Sequence, residues 1–171
     1  QPLFGFNEMK WNKRIEPLVY SEATKRFAEE TETIARVTTE LFFDVYIAQI
    51  NLGSSQLDKT NADTLYSVAQ GRYSVGRIAE TDLLQIELSV RNAEASLANA
   101  LLQNQTNTEQ LRNYLGIKEV VTFDLTPPDE LPTFIVDAAK ALEEAKKNRS
   151  KSVELTRRLM EAEMRLARAK S

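Results

Sequence analysis

Residues 73–85 have the sequence YSVGRIAETDLLQ, and this stretch decides the fold. Gly76 stands where a long helical pattern of polar and apolar residues stops, and glycine readily adopts the left-handed conformation that closes a helix. Asp82, followed by Gln85 three residues later, has the spacing of a capping box at the start of another helix. The stretch therefore predicts a tight turn between two antiparallel helices.

The helix predicted before this turn is long. Pro17 suits its first position, and no proline follows before Tyr73. Apolar residues recur there at spacings of three and four, close to a heptad repeat. They are Phe27, Ile34, Leu41, Val45, Ala48, Leu52, Leu65 and Val68. At about 1.5 Å per residue, roughly 55 residues form a rod of roughly 80 Å. A break at Gly53 is the alternative, but the apolar phase resumes after Ser55 and favours a continuous helix.

The second helix is predicted from about Thr81 to Leu115, because Gly116 again suits the position after a helix. Residues 117–133 change character and are predicted to connect helical layers. They contain a short extended run, Val120, Val121 and Phe123, and three prolines, Pro127, Pro128 and Pro132. The prolines exclude a regular helix there.

Both ends of the chain suggest that it was cut from something longer. Residues 1–16, with the only tryptophan at Trp11, are predicted to end an extended, aromatic-rich segment that turns into the first helix. Two short helices are predicted at about 134–147 and 151–170, and the last one stops at Ser171 without a cap.

The expected fold class is mainly α, built on a long, coiled-coil-like antiparallel hairpin over residues 17–116 with its tip near 74–81. A strand-like stub at 1–16 precedes the hairpin, and the connector at 117–133 follows it. Shorter helices over 134–171 include the truncated start of another long helix. Ala, Leu, Glu, Gln, Asn, Lys and Arg dominate the composition, which is typical of long helices.

The composition also limits the chemistry. A net charge of −3 over 171 residues argues against a nucleic-acid binder, which needs a surplus of Lys and Arg on one surface. Neither His nor Cys occurs, so Ser-His-Asp catalysis, Cys-His catalysis and thiolate metal sites are excluded. The nearest candidates for a carboxylate metal site are Asp124, Asp129 and Glu130, whose spacing fits a solvated connector better. No enzyme activity, cofactor or membrane-spanning helix is predicted.

Polar residues without charge are spread along the long helices. They include Gln56, Asn61, Gln103, Asn104, Gln105 and Asn107. One wide face of the hairpin is therefore predicted to stay wet over its full length. A water-filled interior is one explanation, and the exposure of a coiled coil to bulk solvent is the other.

The sequence of residues 73–85 resembles the periplasmic tip of the TolC-like outer-membrane efflux proteins. In that family the turn carries Tyr or Phe, any residue, Val-Gly and any residue, and a Thr-Asp pair opens the next helix. Three more segments resemble the family in the same order along the chain. They are Gln1-Pro2-Leu3-Phe4 with Trp11, Leu111 through Leu115-Gly116, and Ala141 through Asn148-Arg149 leading into Leu155.

The resemblance implies a homotrimer whose subunits, through an internal duplication, give strands to an outer-membrane β-barrel and long helices to a periplasmic tunnel. Residues 1–11 would end a barrel strand, 18–115 would be one tunnel hairpin, and 117–171 would be the equatorial region. Most of the barrel and the second repeat would lie outside this chain. The protein would be the channel of a tripartite efflux or type I secretion system, localised to the outer membrane with this segment in the periplasm.

The resemblance also implies a docking site. Tyr73, Val75, Gly76, Arg77 and Thr81 would meet the α-hairpin of a periplasmic adaptor protein, which joins the channel to an inner-membrane pump. Arg77 departs from the apolar residue that is commoner there, so it could pair with an acid on the partner and alter the choice of adaptor.

Asp82 matches the position where, by the same resemblance, a carboxylate latches the closed tunnel entrance to the second repeat. An N-cap contributing about 1 kcal/mol is the other reading of Asp82, and both roles can coexist. The main alternative for the whole chain is a soluble coiled-coil scaffold, such as a three-helix bundle, in which the same heptads form a private core. An isolated hairpin should also self-associate through the apolar stripe of Phe27, Ile34, Leu41 and Leu102.

Overall fold

A computed structural model describes residues 6–119, 121, 123, 125–127 and 135–170. Within these ranges it contains four helices and no strand. They are α1 (Glu8–Ser74), α2 (Glu80–Tyr114), α3 (Ala138–Asn148) and α4 (Ser150–Lys170). The mainly α class and the helical hairpin are confirmed. The chain forms two compact units, one of Gln1–Arg36 with Glu130–Ser171 and one of Val37–Asp129, and α1 contributes to both.

In the unit Val37–Asp129, α1 and α2 pack along a heptad seam. The seam residues of both helices are buried or half-buried and are spaced alternately by three and four. Those of α1 are Leu41, Val45, Ala48, Leu52, Ser55, Lys59, Ala62, Tyr66 and Ala69, and those of α2 are Leu83, Ile86, Val90, Ala93, Leu97, Ala100, Asn104, Asn107 and Leu111. Val45 is fully buried, with 0% of its surface exposed. The predicted heptad spacing is found in α1, but only part of the predicted residues lie in the seam. Leu41, Val45, Ala48 and Leu52 do, whereas Leu65 and Val68 are exposed because they lie on other faces of the helix.

Small residues recur at every seventh position of this seam. On α1 they are Ala48, Ser55, Ala62 and Ala69, and on α2 they are Ala93 and Ala100. Ala48 and Ala69 are almost completely buried. Because an alanine side chain ends at Cβ, these positions let the two backbones approach closely.

A lysine interrupts the apolar seam. The Lys59 ammonium lies 2.6 Å from an Asp63 carboxylate oxygen on α1 and 3.5 Å from a Glu94 oxygen on α2. The hydrogen bond to Asp63, together with the charges of Asp63 and Glu94, raises the pKa of Lys59, so the lysine stays charged. A single charged residue in a seam favours the register that pairs it.

In the unit Gln1–Arg36 with Glu130–Ser171, ion pairs join α1 to α4 beside buried Ile15 and half-buried Met160 and Met164. The Glu22 carboxylate is buried and accepts hydrogen bonds from Arg26 at 2.8 Å and from Arg157 of α4 at 2.7 Å. The pKa of Arg157 is raised by its hydrogen bonds to Glu22 and Glu161. Charged and apolar contacts therefore both join these two helices.

The first helix begins earlier than the sequence predicted. Residues 8–16, expected to be extended or turning, are helical, and Pro17 lies inside α1 instead of at its first position. The side chain of Asn7 caps the helix, because its Oδ1 accepts the Lys10 N–H at 3.1 Å. Buried Ile15 anchors the early turns. These contacts outweigh the cost of about 3 kcal/mol that proline carries in a helix interior.

The C-terminal helices are placed as predicted, with shifted ends. Helix α3 begins at Ala138 because the Asp137 carboxylate accepts the N–H groups of Ala139 and Lys140, at 2.9 and 3.3 Å. Several predictions fall outside the described residues. They are the stub at 1–5, the extended run at Val120, the prolines Pro128 and Pro132, the acidic residues Asp124, Asp129 and Glu130, and the terminal Ser171.

The helices differ greatly in length, with 67, 35, 11 and 21 residues in chain order. A three-helix bundle, the alternative fold, would have helices of similar length because each must cover the same core. The structure therefore favours the hairpin over the bundle. In the part of the chain that the structure describes, no helix combines the length and apolar character needed to cross a bilayer.

Gly53 lies within continuous α1, as the sequence favoured, and a Cβ added there would meet nothing within 4 Å. The substitution Gly53→Ala should therefore stabilise the protein by about 1 kcal/mol, measured by urea denaturation, because alanine is the better helix former. Gly116→Ala should have the opposite sign and cost about 1–2 kcal/mol, since Gly116 has a φ of 69°. If both variants changed the free energy of unfolding in the same direction, the helical conformation of Gly53 and the left-handed conformation of Gly116 could not both be right.

Candidate functional site at the hairpin tip

The tip of the hairpin is a turn of five residues between Ser74 and Glu80. Gly76 has a φ of 70°, its N–H donates to the Tyr73 carbonyl at 2.9 Å, and the Arg77 N–H donates to the Arg72 carbonyl at 2.9 Å. This pair of hydrogen bonds is a Schellman motif, which ends α1 and reverses the chain. Gly76 therefore has the turn conformation that the sequence predicted.

The apolar side chains at the tip point outward. Val75 is 66% exposed, although a valine would gain from burial, and Tyr73 is 41% exposed. Ile78, between them and α2, is half-buried. The turn thus presents a small apolar surface at the end of the paired helices α1 and α2.

Arg77 and Thr81 flank this apolar surface, and both are exposed. The Arg77 guanidinium makes no hydrogen bond or ion pair with any other residue that the structure describes. It is a cation available to a partner, and its five donors suit a carboxylate. The structure brings Val75, Gly76 and Arg77 of the turn together with Tyr73 at the end of α1 and Thr81 at the start of α2.

Asp82 does not cap α2 in the way that the sequence predicted. The N-cap is Ala79, which has no side-chain acceptor, and α2 begins at Glu80, so Asp82 is the third helical residue. Its Oδ2 accepts the Ala79 N–H at 3.4 Å, a long hydrogen bond that forms only one half of a capping box. The carboxylate is exposed and remains open to another partner.

A second surface, which we call the outer stripe, lies on the side of the hairpin away from the seam. Large apolar side chains on this stripe are exposed on both helices. They are Ile47, Ile50, Leu57, Leu65 and Val68 on α1 and Leu84, Leu88 and Leu102 on α2. Each helix of an isolated two-helix coiled coil needs only one apolar stripe, so a second one marks an interaction surface.

A third surface, which we call the polar stripe, runs along α2 between the seam and the outer stripe. Eight exposed side chains at alternating spacings of four and three are polar and uncharged. They are Gln85, Ser89, Asn92, Ser96, Asn99, Gln103, Thr106 and Gln110. The charges in the middle of α2, such as Arg91 and Glu94, lie on another face and pair with each other at 3.1 Å. The solvent-exposed faces of α2 therefore differ, because the polar stripe carries no charge and the face with Arg91 and Glu94 does.

Sequence reasoning missed the outer and polar stripes as separate surfaces. Of the residues it predicted to stay wet, Gln56, Asn61, Gln103 and Gln105 are exposed. Asn104 and Asn107 are half-buried in the seam, where Asn107 donates to the Asp44 carbonyl at 2.9 Å. Assigning heptad positions outward from Val45 on α1 and Val90 on α2 would have distinguished the seam residues from those of the two stripes. In a heptad repeat, the face on which a residue lies follows from its distance in sequence from a known seam residue.

Comparison with known proteins covers the part of the chain that carries these three surfaces. Residues 1–117, more than half of the chain, match the family model described as outer membrane efflux protein. The matched region contains both helices of the hairpin and its tip. No curated protein and no solved structure gives a match.

Proposed function

The chain belongs to the outer membrane efflux protein family, and from this premise we propose that it forms a wall segment of a passive export duct. The hairpin stands in the periplasm, and the full-length protein is a homotrimer held in the outer membrane. A periplasmic adaptor protein joins it to an inner-membrane pump, which supplies the energy. The chain itself performs no covalent chemistry and lets small molecules or proteins pass.

The observation that carries this proposal is that the hairpin has two apolar surfaces. The seam joins α1 to α2, and the outer stripe is left for neighbouring hairpins. Hairpins standing side by side would cover the outer stripe on both flanks and leave the remaining faces wet. Such a repeated wall is what a duct requires.

The polar stripe of α2 favours the water-filled interior over simple exposure to solvent. A helix face in bulk water usually carries charged residues, and this chain is 27% charged. Eight successive uncharged positions would let solutes of either charge pass without being held. We assign this face to the inside of the duct.

The exposed apolar surface and the cation at the tip suit the docking of the adaptor. Val75 and Tyr73 would be buried against the adaptor hairpin, and Arg77 would pair with an acidic residue on it. Asp82, on the first turn of α2, would latch the closed entrance through its exposed carboxylate to a residue of the second repeat.

Photo-crosslinking at position 77 tests the docking. With a photoreactive amino acid in place of Arg77, in cells that make the protein with its pump and adaptor, we expect a crosslink to the adaptor. The same amino acid at Asn92, an exposed residue in the middle of α2, should not give this product. A crosslink at position 92 without one at 77 would refute docking at the tip.

Reversal of one charge tests the role of the arginine. Arg77→Glu should weaken adaptor binding roughly threefold to tenfold, as expected for an exposed ion pair, with a weaker dependence on salt. Lys118→Glu makes the same charge change after the far end of α2 and should leave the affinity unchanged. If both variants bind equally weakly, only the net charge matters and the arginine has no specific partner.

A further inference from the structure

The break between α3 and α4 is not caused by a helix breaker. Helix α3 ends at Asn148 and α4 begins at Ser150, so a single residue separates them. That residue, Arg149, is extended, with φ −72° and ψ 134°. Residues 145–153 have the sequence AKKNRSKSV, without glycine or proline. Each of these residues is compatible with a helix that runs through the junction.

Breaking a helix leaves donors and acceptors without partners, and α1 supplies replacements for both. The Glu29 carboxylate of α1 accepts the Ser150 N–H at 2.9 Å and the Ser150 hydroxyl at 2.6 Å. The Lys25 ammonium, one turn earlier on α1, donates to the Lys147 carbonyl at the end of α3. All of these residues belong to one compact unit.

The signs of the two charges match the helix ends. The amino terminus of a helix carries a partial positive charge and the carboxyl terminus a partial negative charge. Glu29 faces the amino terminus of α4, and Lys25 faces the carboxyl terminus of α3. Each contact therefore stabilises the broken form and would be lost if the helices joined.

We propose that α1 holds a two-state latch at Arg149, in which Glu29 and Lys25 keep α3 and α4 apart. When the Glu29 carboxylate is removed or neutralised, the two helices join into one helix through Arg149. The joined helix recovers intrahelical hydrogen bonds, including one from the Ser150 N–H to the Lys146 carbonyl. The latched form keeps the bonds to α1 instead. This device is independent of the duct proposed above.

Several charged groups surround Glu29. Arg26 and Lys25 lie on α1, Arg149 at the junction and Lys151 on α4, whereas Glu32 of α1 and Glu144 of α3 are like charges. The hydrogen bonds from the Ser150 hydroxyl and N–H, followed by the charges of Arg149 and Arg26, lower the pKa of Glu29 below its usual value of 4.5. The pKa of Glu29 is lower in the folded protein than in the unfolded chain. The latch therefore contributes its full stability at pH values above the usual pKa of a glutamate, and this stability is lost as the pH falls through the lowered pKa of the folded protein.

The test is NMR of the full chain with Glu29→Ala. We expect the Cα resonance of Arg149 to move from the extended to the helical range, and the Lys151 amide to exchange at least about tenfold more slowly. Alternatively, the Ser150 amide could exchange faster while the Arg149 Cα resonance moves to the random-coil range. This result would mean that the first turn of α4 only frays, and it would overturn the proposal. An unchanged Arg149 resonance would overturn it equally.

A double variant and a control separate the latch from general damage. Adding Ser150→Pro to Glu29→Ala should return Arg149 to the extended range, because a residue before proline is excluded from helical conformations and proline suits the first helical position. Glu32→Ala removes a carboxylate from the same cleft, three residues further along α1, and should leave the Arg149 resonance in place. If Glu32→Ala shifts it as far as Glu29→Ala does, the latch is refuted.

Discussion

Val45→Asp should destabilise the unit of α1 and α2 by at least about 4 kcal/mol, since a carboxylate would replace the most deeply buried side chain of the seam. A loss of this size is comparable with the total stability of many domains. Urea denaturation followed by far-ultraviolet circular dichroism measures it. At low urea we expect the variant to have already lost much of its helical signal.

Ile47→Asp is the matched control. It makes the same kind of change, from a β-branched aliphatic residue to aspartate, two positions further along the same helix. Ile47 is 53% exposed and lies on the outer stripe, so at protein concentrations where the chain is monomeric its substitution should cost within about 0.5 kcal/mol. Similar losses for both variants would show that Val45 does not lie in a packed seam.

The second large effect concerns association between chains. Changing Ile50, Leu57, Leu88 and Leu102 together to glutamate should weaken self-association at least about 100-fold, because each buried leucine or isoleucine contributes about 1.5–3 kcal/mol. Sedimentation equilibrium measures the association constant. The unmodified chain should associate with rising concentration, through these residues and through exposed Phe27 and Ile34 in the other unit. Leu41, which the sequence placed on the same apolar stripe, is half-buried in the seam instead.

The control for this variant carries the same added charge elsewhere. Asn51, Asn61, Asn92 and Asn99 are exposed and polar, and changing these four to glutamate should alter association far less. A chain that stays monomeric at high concentration would contradict the role given to the outer stripe. So would equal dissociation by both sets of glutamates, which would point to repulsion of net charge alone.

Much of the fold follows from periodicity. Residues such as Val45 and Leu52 show which face of α1 is buried in the seam, and Gly76 shows where the turn lies. The start of α1 was missed because a proline was given more weight than a cap. Asn7 and buried Ile15 stabilise nine residues ahead of Pro17, and tertiary packing of this kind cannot be read from local preference.

The candidate site could be predicted in part. A single motif sufficed to place Tyr73 through Thr81 at the tip of the hairpin, because a turn is local in sequence. The capping of α2 was misjudged, since Asp82 and Ala79 can each stand near a helix start and only backbone geometry separates them. The contact between Glu29 and Ser150 joins residues 121 positions apart, and no local pattern reports it.

The small residues of the seam have a consequence for dimensions. Alanine and serine at every seventh position keep α1 and α2 close, so each hairpin occupies a narrow arc of any ring that it helps to build. In a ring of hairpins, the circumference is the sum of these arcs. The diameter of the channel is therefore determined by the width of each hairpin. Leucine in place of Ala62 would push α1 and α2 apart only at the height of residue 62. A channel that is wider along its whole length would require the same change at every small seam position. In the proposed duct, many small side chains would therefore set the channel diameter jointly, and a single substitution would change it little.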